Sequence, residues 1–219
     1  MSRSPHSRPQ AVEAPTDRSA ARSAGRPAPA PARDLALVAI FAAIVAALGL
    51  VPALYPFGLA VPITAQSLGV MLAGSILGGR RGGLAIVVLL VLVAAGLPLL
   101  AGGRGGLGVF FGPTVGYLVG WPVAAYVVGW LTERGGAPYR LWWGVVANLC
   151  GGIVVLYVLG IAGTALVADL PVTAAALGAA AFVPGDIVKA VLAAVVARGV
   201  HAAYPGLLVR RRSGRAGPV

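Results

Sequence analysis

Asp186 and Lys189 stand three residues apart in Phe182-Val-Pro-Gly-Asp-Ile-Val-Lys-Ala-Val-Leu-Ala-Ala-Val-Val-Ala197, a run that is otherwise apolar. On a helix that spacing puts both side chains on one face. A charge in the hydrocarbon region of a bilayer costs about 2.5–3.5 kcal/mol on insertion scales, so ionised residues there face a cavity and a partner. One reading is a bare ion pair that holds a helix bundle together. The other is a polar binding site, the default for an ionisable residue at such a depth.

A second feature is Ala101-Gly-Gly-Arg-Gly-Gly-Leu-Gly-Val-Phe-Phe-Gly-Pro-Thr114. Gly103, Gly105 and Gly108 formally satisfy G-x-G-x-x-G, but no strand precedes them and no βαβ unit surrounds them, which excludes a dinucleotide site. The glycines let backbone wrap closely over something small. Arg104 then offers a planar fork that can clamp an anion, or else is a solvated loop charge. Neutral polar groups gather at the same end of the spans: Thr64 and Gln66 before the second, Tyr117 at the start of the fourth, Tyr157 in the fifth. Asp186 and Lys189 cancel, so Arg104 leaves the group at +1. An apolar pocket of that charge with amide and hydroxyl groups suits a small organic monoanion.

Catalysis lacks its parts. His6 and His201 fall in the terminal tails, and no H-E-x-x-H, G-x-S-x-G or cysteine pair occurs, so no catalytic residues and no metal ligands are assigned. The chain has no G-x-x-x-x-G-K-[ST], so if it takes part in ATP-driven transport, the ATPase is another chain. The single Cys150 cannot form an internal disulfide and reads as a small core residue.

The elements that position these groups are membrane spans. The chain has 219 residues, 58% hydrophobic, and a net charge of +11. That composition indicates an all-α integral membrane protein. Six spans are expected: Leu35–Val51, Gln66–Leu77, Leu84–Leu100, Pro113–Leu131 with a kink at Pro122, Leu141–Gly160 and Pro184–Gly199. Residues 1–33 carry six arginines among Pro, Ala and Ser and read as a disordered basic tail. They hold no apolar signal-peptide core. Residues 34–200 form the membrane domain and 201–219 a second basic tail. With six spans and both termini cytoplasmic, fifteen of the seventeen Lys and Arg residues lie on the inner side, all but Arg104 and Lys189. This asymmetry satisfies the positive-inside rule. Trp130, Trp142 and Trp143 flank an inner loop as interfacial anchors. The basic charge therefore sets topology, and no motif points to nucleic acid. Rows of small residues, Ala39/Ala43/Ala47, Gly74/Gly78 and Gly112/Gly116/Gly120, permit close helix contact inside the bundle or with a partner in the membrane.

These pieces resemble the biotin-specific subunits of the BioY family, in the energy-coupling-factor class of vitamin importers. The resemblance rests on Val61-Pro-Ile-Thr-Ala-Gln-Ser-Leu-Gly-Val-Met-Leu-Ala-Gly74, Gly96-Leu-Pro-Leu-Leu-Ala-Gly-Gly-Arg-Gly-Gly-Leu-Gly108, Phe111-Gly-Pro-Thr-Val-Gly-Tyr117 and Pro184-Gly-Asp-Ile-Val-Lys-Ala190. It covers about residues 34–200, and the arginine-rich N-terminus departs from it. It implies a six-helix bundle in the bacterial plasma membrane, biotin bound near the outer face, no cofactor, and assembly with a membrane coupling subunit and two ATPase subunits. Gln66, Arg104, Tyr117, Tyr157, Asp186 and Lys189 would bind the ligand. Ala39, Ala43 and Ala47 would meet the coupling subunit. Biotin's carboxylate, ureido ring and apolar remainder match the cluster, with either Arg104 or Lys189 free to meet the carboxylate. Rival expectations are a subunit for another vitamin, thiamine being disfavoured as a cation, a self-sufficient proton-coupled carrier using Asp186, and a membrane enzyme.

Overall fold

A computed structural model describes residues 30–53 and 63–205 of the chain. Among them every extended element is a helix: α1 Ala30–Leu48, α2 Gln66–Leu77, α3 Gly79–Ala94, α4 Val115–Gly135, α5 Leu141–Val167, α6 Val172–Ala180 and α7 Val183–Ala203. A 3-10 turn spans Leu107–Phe111. By length and composition α1, α4 and α5 can each cross a membrane. The pair α6 and α7, bent by 56°, gives a fourth crossing if it counts as one broken span.

Helix α2 is the axis of the bundle. It has only 12 residues, of which ten are buried, because α1, α3, α4 and α7 all pack on it. Glycine makes that crowding possible. A Cβ on Gly74 would fall 2.8 Å from Val128 Cβ of α4, and one on Gly82 of α3 would fall 2.8 Å from the Ala73 carbonyl oxygen. A Cβ on Gly120 of α4 would lie 3.0 Å from Leu156 of α5. The Gly74/Gly78 row and two members of the Gly112/Gly116/Gly120 row therefore serve contacts inside the bundle, whereas a Cβ on Gly112 would meet nothing within 4 Å. The alanine row differs. Val38, Phe41, Ala42 and Val45 of α1 face the core, while Ala39, Ala43 and Ala47 are exposed.

Several boundaries differ from the sequence expectation. Helix α1 starts at Ala30 and α7 runs to Ala203, so the helical domain takes in residues assigned to both tails. The remaining tail residues, 1–29 and 206–219, lie outside the described ones, as do Val61 and Pro62. The third span is shifted: α3 starts at Gly79, where Glu133 Oε1 accepts the Gly79 N–H at 3.1 Å, an anion well placed against a helix N-terminus. It ends at Ala94 because Gly96 takes a positive φ of 105° and Pro98 follows. The apolar run Leu97–Leu100 is thus a loop. Helix α4 runs unbroken through Pro122. Helix α5 extends seven residues past Gly160 and contains a π segment, Cys150–Val155. Cys150 is exposed on that segment, which corrects its assignment to the core. Helix α6 has no counterpart in the expected spans, since its alanine-rich sequence carries neither charge nor caps to mark it.

One end of the bundle holds a buried polar cluster away from Asp186. His201 Nε2 lies 2.9 Å from the Ser75 carbonyl oxygen, Ser75 Oγ donates to Asn148 Oδ1 at 3.0 Å, and the Tyr139 and His201 rings stack at 5.0 Å. His201 belongs to this packed end of α7, 7% exposed, and not to a tail. Asp34 pairs with Arg81 at 3.0 Å. Arg134 sits 3.7 Å over the Trp130 ring, and Trp143 Nε1 donates to the Leu131 carbonyl at 2.7 Å.

Candidate functional site

The opposite end encloses a cavity whose wall includes all six residues singled out from sequence: Gln66, Arg104, Tyr117, Tyr157, Asp186 and Lys189. Helices α2, α4, α5 and α7 and the glycine-arginine loop each contribute.

Asp186 is 5% exposed and sits in the first turn of α7, entered through Pro184. Its Oδ1 accepts from Lys189 Nζ at 2.8 Å and Ser67 Oγ at 3.3 Å, and its Oδ2 from the Tyr157 hydroxyl at 2.6 Å. An ionised carboxylate offers about four acceptor positions, so one remains on Oδ2. Lys189 is bound on every proton, donating also to the Thr64 carbonyl at 2.8 Å and Ser67 Oγ at 2.9 Å. The ammonium thus orients Asp186 and anchors α7 to the start of α2.

The π segment of α5 matters for Tyr157. A π turn adds one residue to the α-helical register, which rotates everything after it by about 100°. Tyr157, two residues past Val155, is thereby aimed at Asp186. Gly151 and Gly152 let this segment pack closely on its neighbours: a Cβ on Gly151 would fall 2.8 Å from the Val128 backbone nitrogen, and one on Gly152 would fall 2.7 Å from Met71 Cγ. Tyr117 stands edge-on to Tyr157 at 6.3 Å and to Phe182 at 6.4 Å between ring centroids. With Trp121, Leu118 and Leu156 they line the cavity with largely apolar surface.

The glycine-arginine loop is a tight reversal. Leu100 and Arg104 exchange backbone hydrogen bonds, N to O at 3.0 and 3.2 Å, and Gly106 N donates to the Val93 carbonyl at 2.8 Å. Gly102, Gly103 and Gly106 take positive φ of 79°, 69° and 80°, which glycine adopts without steric cost. The glycines thus fold the loop onto itself as well as over the cavity. Arg104 is half-buried, and its Nε donates to the Ala101 carbonyl at 3.2 Å. Among the described residues its terminal nitrogens meet no acceptor, and Arg104 lines both this cavity and an adjoining open cleft with Gly103, Gly105 and Gly108.

Gln66 lines the cavity differently from the others. It is 1% exposed and its carboxamide is engaged by backbone: Nε2 donates to the Val45 and Leu99 carbonyls, and Oε1 accepts from Ala101 N. Ser67, Thr114 and Trp121 also line the cavity and were not named from sequence. Ser67 follows Gln66 directly in the first turn of α2, one more polar group at the entry to the second span that could have revealed it.

The arrangement offers an open carboxylate acceptor, a guanidinium whose terminal nitrogens are unpaired among the described residues, and aromatic side chains in the same cavity lining. The sequence profile of the BioY family matches residues 18–206. The chain is 52% identical over 183 residues to the biotin transporter BioY of Rhizobium etli, covering 81% of this chain and 97% of that one. It is 50% identical over 188 residues to the biotin transporter BioY of Rhodobacter capsulatus, covering 81% and 98%. Its fold matches the crystal structure of an S-component for biotin from an ECF-type ABC transporter, with a TM-score of 0.76 at 27% identity, over 81% of this chain and 95% of that one.

Proposed function

The chain belongs to the BioY family, and on that premise we propose that it binds biotin in the Asp186–Arg104 cavity and serves biotin uptake as the substrate-specific subunit of an ATP-driven importer. It is a multi-pass protein of the cell membrane and a transport subunit, not an enzyme. The observation that carries the ligand assignment is the division of labour between the two cations. Lys189 is consumed by Asp186, Ser67 and Thr64, which leaves Arg104 to take the carboxylate bidentately. The remaining acceptor position of Asp186 takes a ureido N–H, and the Tyr117, Tyr157 and Trp121 rings cover the thiophane ring and chain. Gln66 supplies wall and no spare donor, both amide hydrogens being given to backbone carbonyls.

Six crossings with both termini cytoplasmic are supported by the two ends of the bundle. Arg80, Arg81, Arg134 and Arg140 cluster by chain position with the Tyr139–His201 end, and Arg104 lies at the other. For the partners, a membrane coupling subunit with two ATPases, the support is the outward alanine row on α1, which a partner helix could approach closely.

The test is radiolabelled biotin binding to the purified subunit with thiamine and riboflavin as competitors. Saturable binding that neither competitor displaces is expected. Displacement by either vitamin, or no saturable binding, would sink the assignment.

A further inference from the structure

Helix α1 tightens as it ends. Gly49 N and Leu50 N donate to the carbonyls three residues back, Ala46 at 2.9 Å and Ala47 at 3.0 Å. The Val45 carbonyl, deep in the core at 0% exposure, thereby loses the Gly49 N–H that an α-helix would give it. Gln66 Nε2 replaces that donor at 3.2 Å. The same nitrogen donates to the Leu99 carbonyl at 3.0 Å, and Oε1 accepts the Ala101 N–H at 2.9 Å. A carboxamide has two donor hydrogens, and both are committed. Two carbonyls and one N–H also fix which end of the amide is nitrogen. The three strands of this junction touch: a Cβ on Gly49 would come 3.0 Å from Gln66 Nε2 and would collide with the Leu99 carbonyl.

The bonds continue to Arg104. Ala101, held by Gln66 through its N–H, holds Arg104 Nε through its carbonyl at 3.2 Å, and the Leu100–Arg104 pair makes the reversal between them one piece. We propose that Gln66 is the positioning residue of the site: its carboxamide latches the last turn of α1 to the Leu99–Arg104 loop and so sets where the guanidinium stands over the cavity. The proposal rests on the reading that Arg104 takes the ligand carboxylate, and it gives Gln66 a role that needs no contact between its polar atoms and the ligand.

Two readouts test it on the purified full chain, with melting followed alongside. The first uses no ligand. Amide hydrogen exchange at Ala101 should quicken about tenfold or more in Gln66→Leu, the scale of losing one buried hydrogen bond. The second compares biotin with its carboxamide, which lacks the anion. Gln66→Leu should weaken biotin about tenfold and leave the carboxamide within about twofold, because only the carboxylate uses Arg104. Equal weakening of both ligands would make Gln66 a general support of the fold and overturn the proposal. Wild-type exchange at Ala101 would overturn it too. Arg104→Lys serves as the control: if it fails to distinguish the two ligands, the ligand pose is wrong, and the exchange experiment still judges the latch. Gln66→Glu keeps an acceptor for Ala101 N–H but gives up at least one donor. It should fall between wild type and Gln66→Leu in both readouts. Should Gln66→Leu not fold, Gln66→Glu carries the test alone, and wild-type exchange with wild-type discrimination there would refute the latch.

Discussion

Asp186 is bound by three groups from three helices, so its removal does more than delete a ligand contact. Asp186→Ala strands Lys189, 17% exposed at the side chain, and breaking one partner from a buried pair costs about 3–5 kcal/mol. Biotin binding should fall below detection in the single variant, with a lowered melting temperature. Replacing Lys189 by Ala as well should restore much of the melting temperature and none of the binding. Wild-type affinity in Asp186→Ala would remove the residue from the site. At Arg104 the geometry of the cation decides. An ammonium lacks the planar fork, so Arg104→Lys should weaken biotin about tenfold or more, equivalent to about 1.4 kcal/mol. An unchanged dissociation constant would point to Lys189 as the carboxylate's partner. Asp186, Lys189 and Arg104 were legible in the sequence because charge in an apolar run has no cheap explanation. The Ser67 and Tyr157 bonds to Asp186 were not, since they join positions 119 and 29 residues apart and neither residue is conspicuous by itself. Gln66 was found for its polarity, yet its hydrogen bonds reveal a structural occupation that no local pattern encodes.

At the scale of elements, α1 shows how exposure separates two readings that sequence leaves equal. All three small-residue rows permit close packing, but only in α1 does the whole row point away from the bundle. Ala43→Trp should leave biotin binding and melting of the isolated subunit nearly unchanged, while reducing copurification with the coupling subunit and ATP-dependent uptake. Combined loss of fold and ligand binding would mean that the row packs internally. The second span was read with its observed bounds, Gln66–Leu77, because polar residues precede it and glycines follow it. The third was displaced because hydropathy cannot tell a helix from the apolar loop Leu97–Leu100. The distinction is made by Gly96 and Pro98 at one end and by Glu133, distant in sequence, at the other. The π segment was invisible for a related reason. Its glycines read as packing glycines, and the extra residue in the turn shows itself only through where Tyr157 ends up.

The whole molecule has a basic end built on Arg80, Arg81, Arg134 and Arg140 and a ligand end with Arg104 as its only arginine among the described residues. That polarity was readable from charge placement, whereas the burial of His201 at the basic end required the fold. It predicts sidedness. Leu107 is 65% exposed beside the cavity loop, and in a Cys150→Ala background Leu107→Cys should react with a membrane-impermeant thiol reagent added outside intact cells. Reaction only after the cytoplasmic face is opened would reverse the proposed topology. The close pairing of Asp186 with Lys189, 2.8 Å apart, reaches further than the local site. The pair carries no net charge, so the empty site is a monocation through Arg104 and the site loaded with a monoanion is electroneutral. A transmembrane voltage does work of about 2.3 kcal/mol per elementary charge per 100 mV, and on an electroneutral cargo compartment it does none. The inward passage of the loaded site is therefore indifferent to voltage, whereas the outward return of the empty, singly positive site is opposed by a potential negative inside. Multi-turnover uptake into proteoliposomes should accordingly slow when a potassium diffusion potential is made strongly negative inside. A rate that climbs under that potential would show that positive charge enters with the ligand.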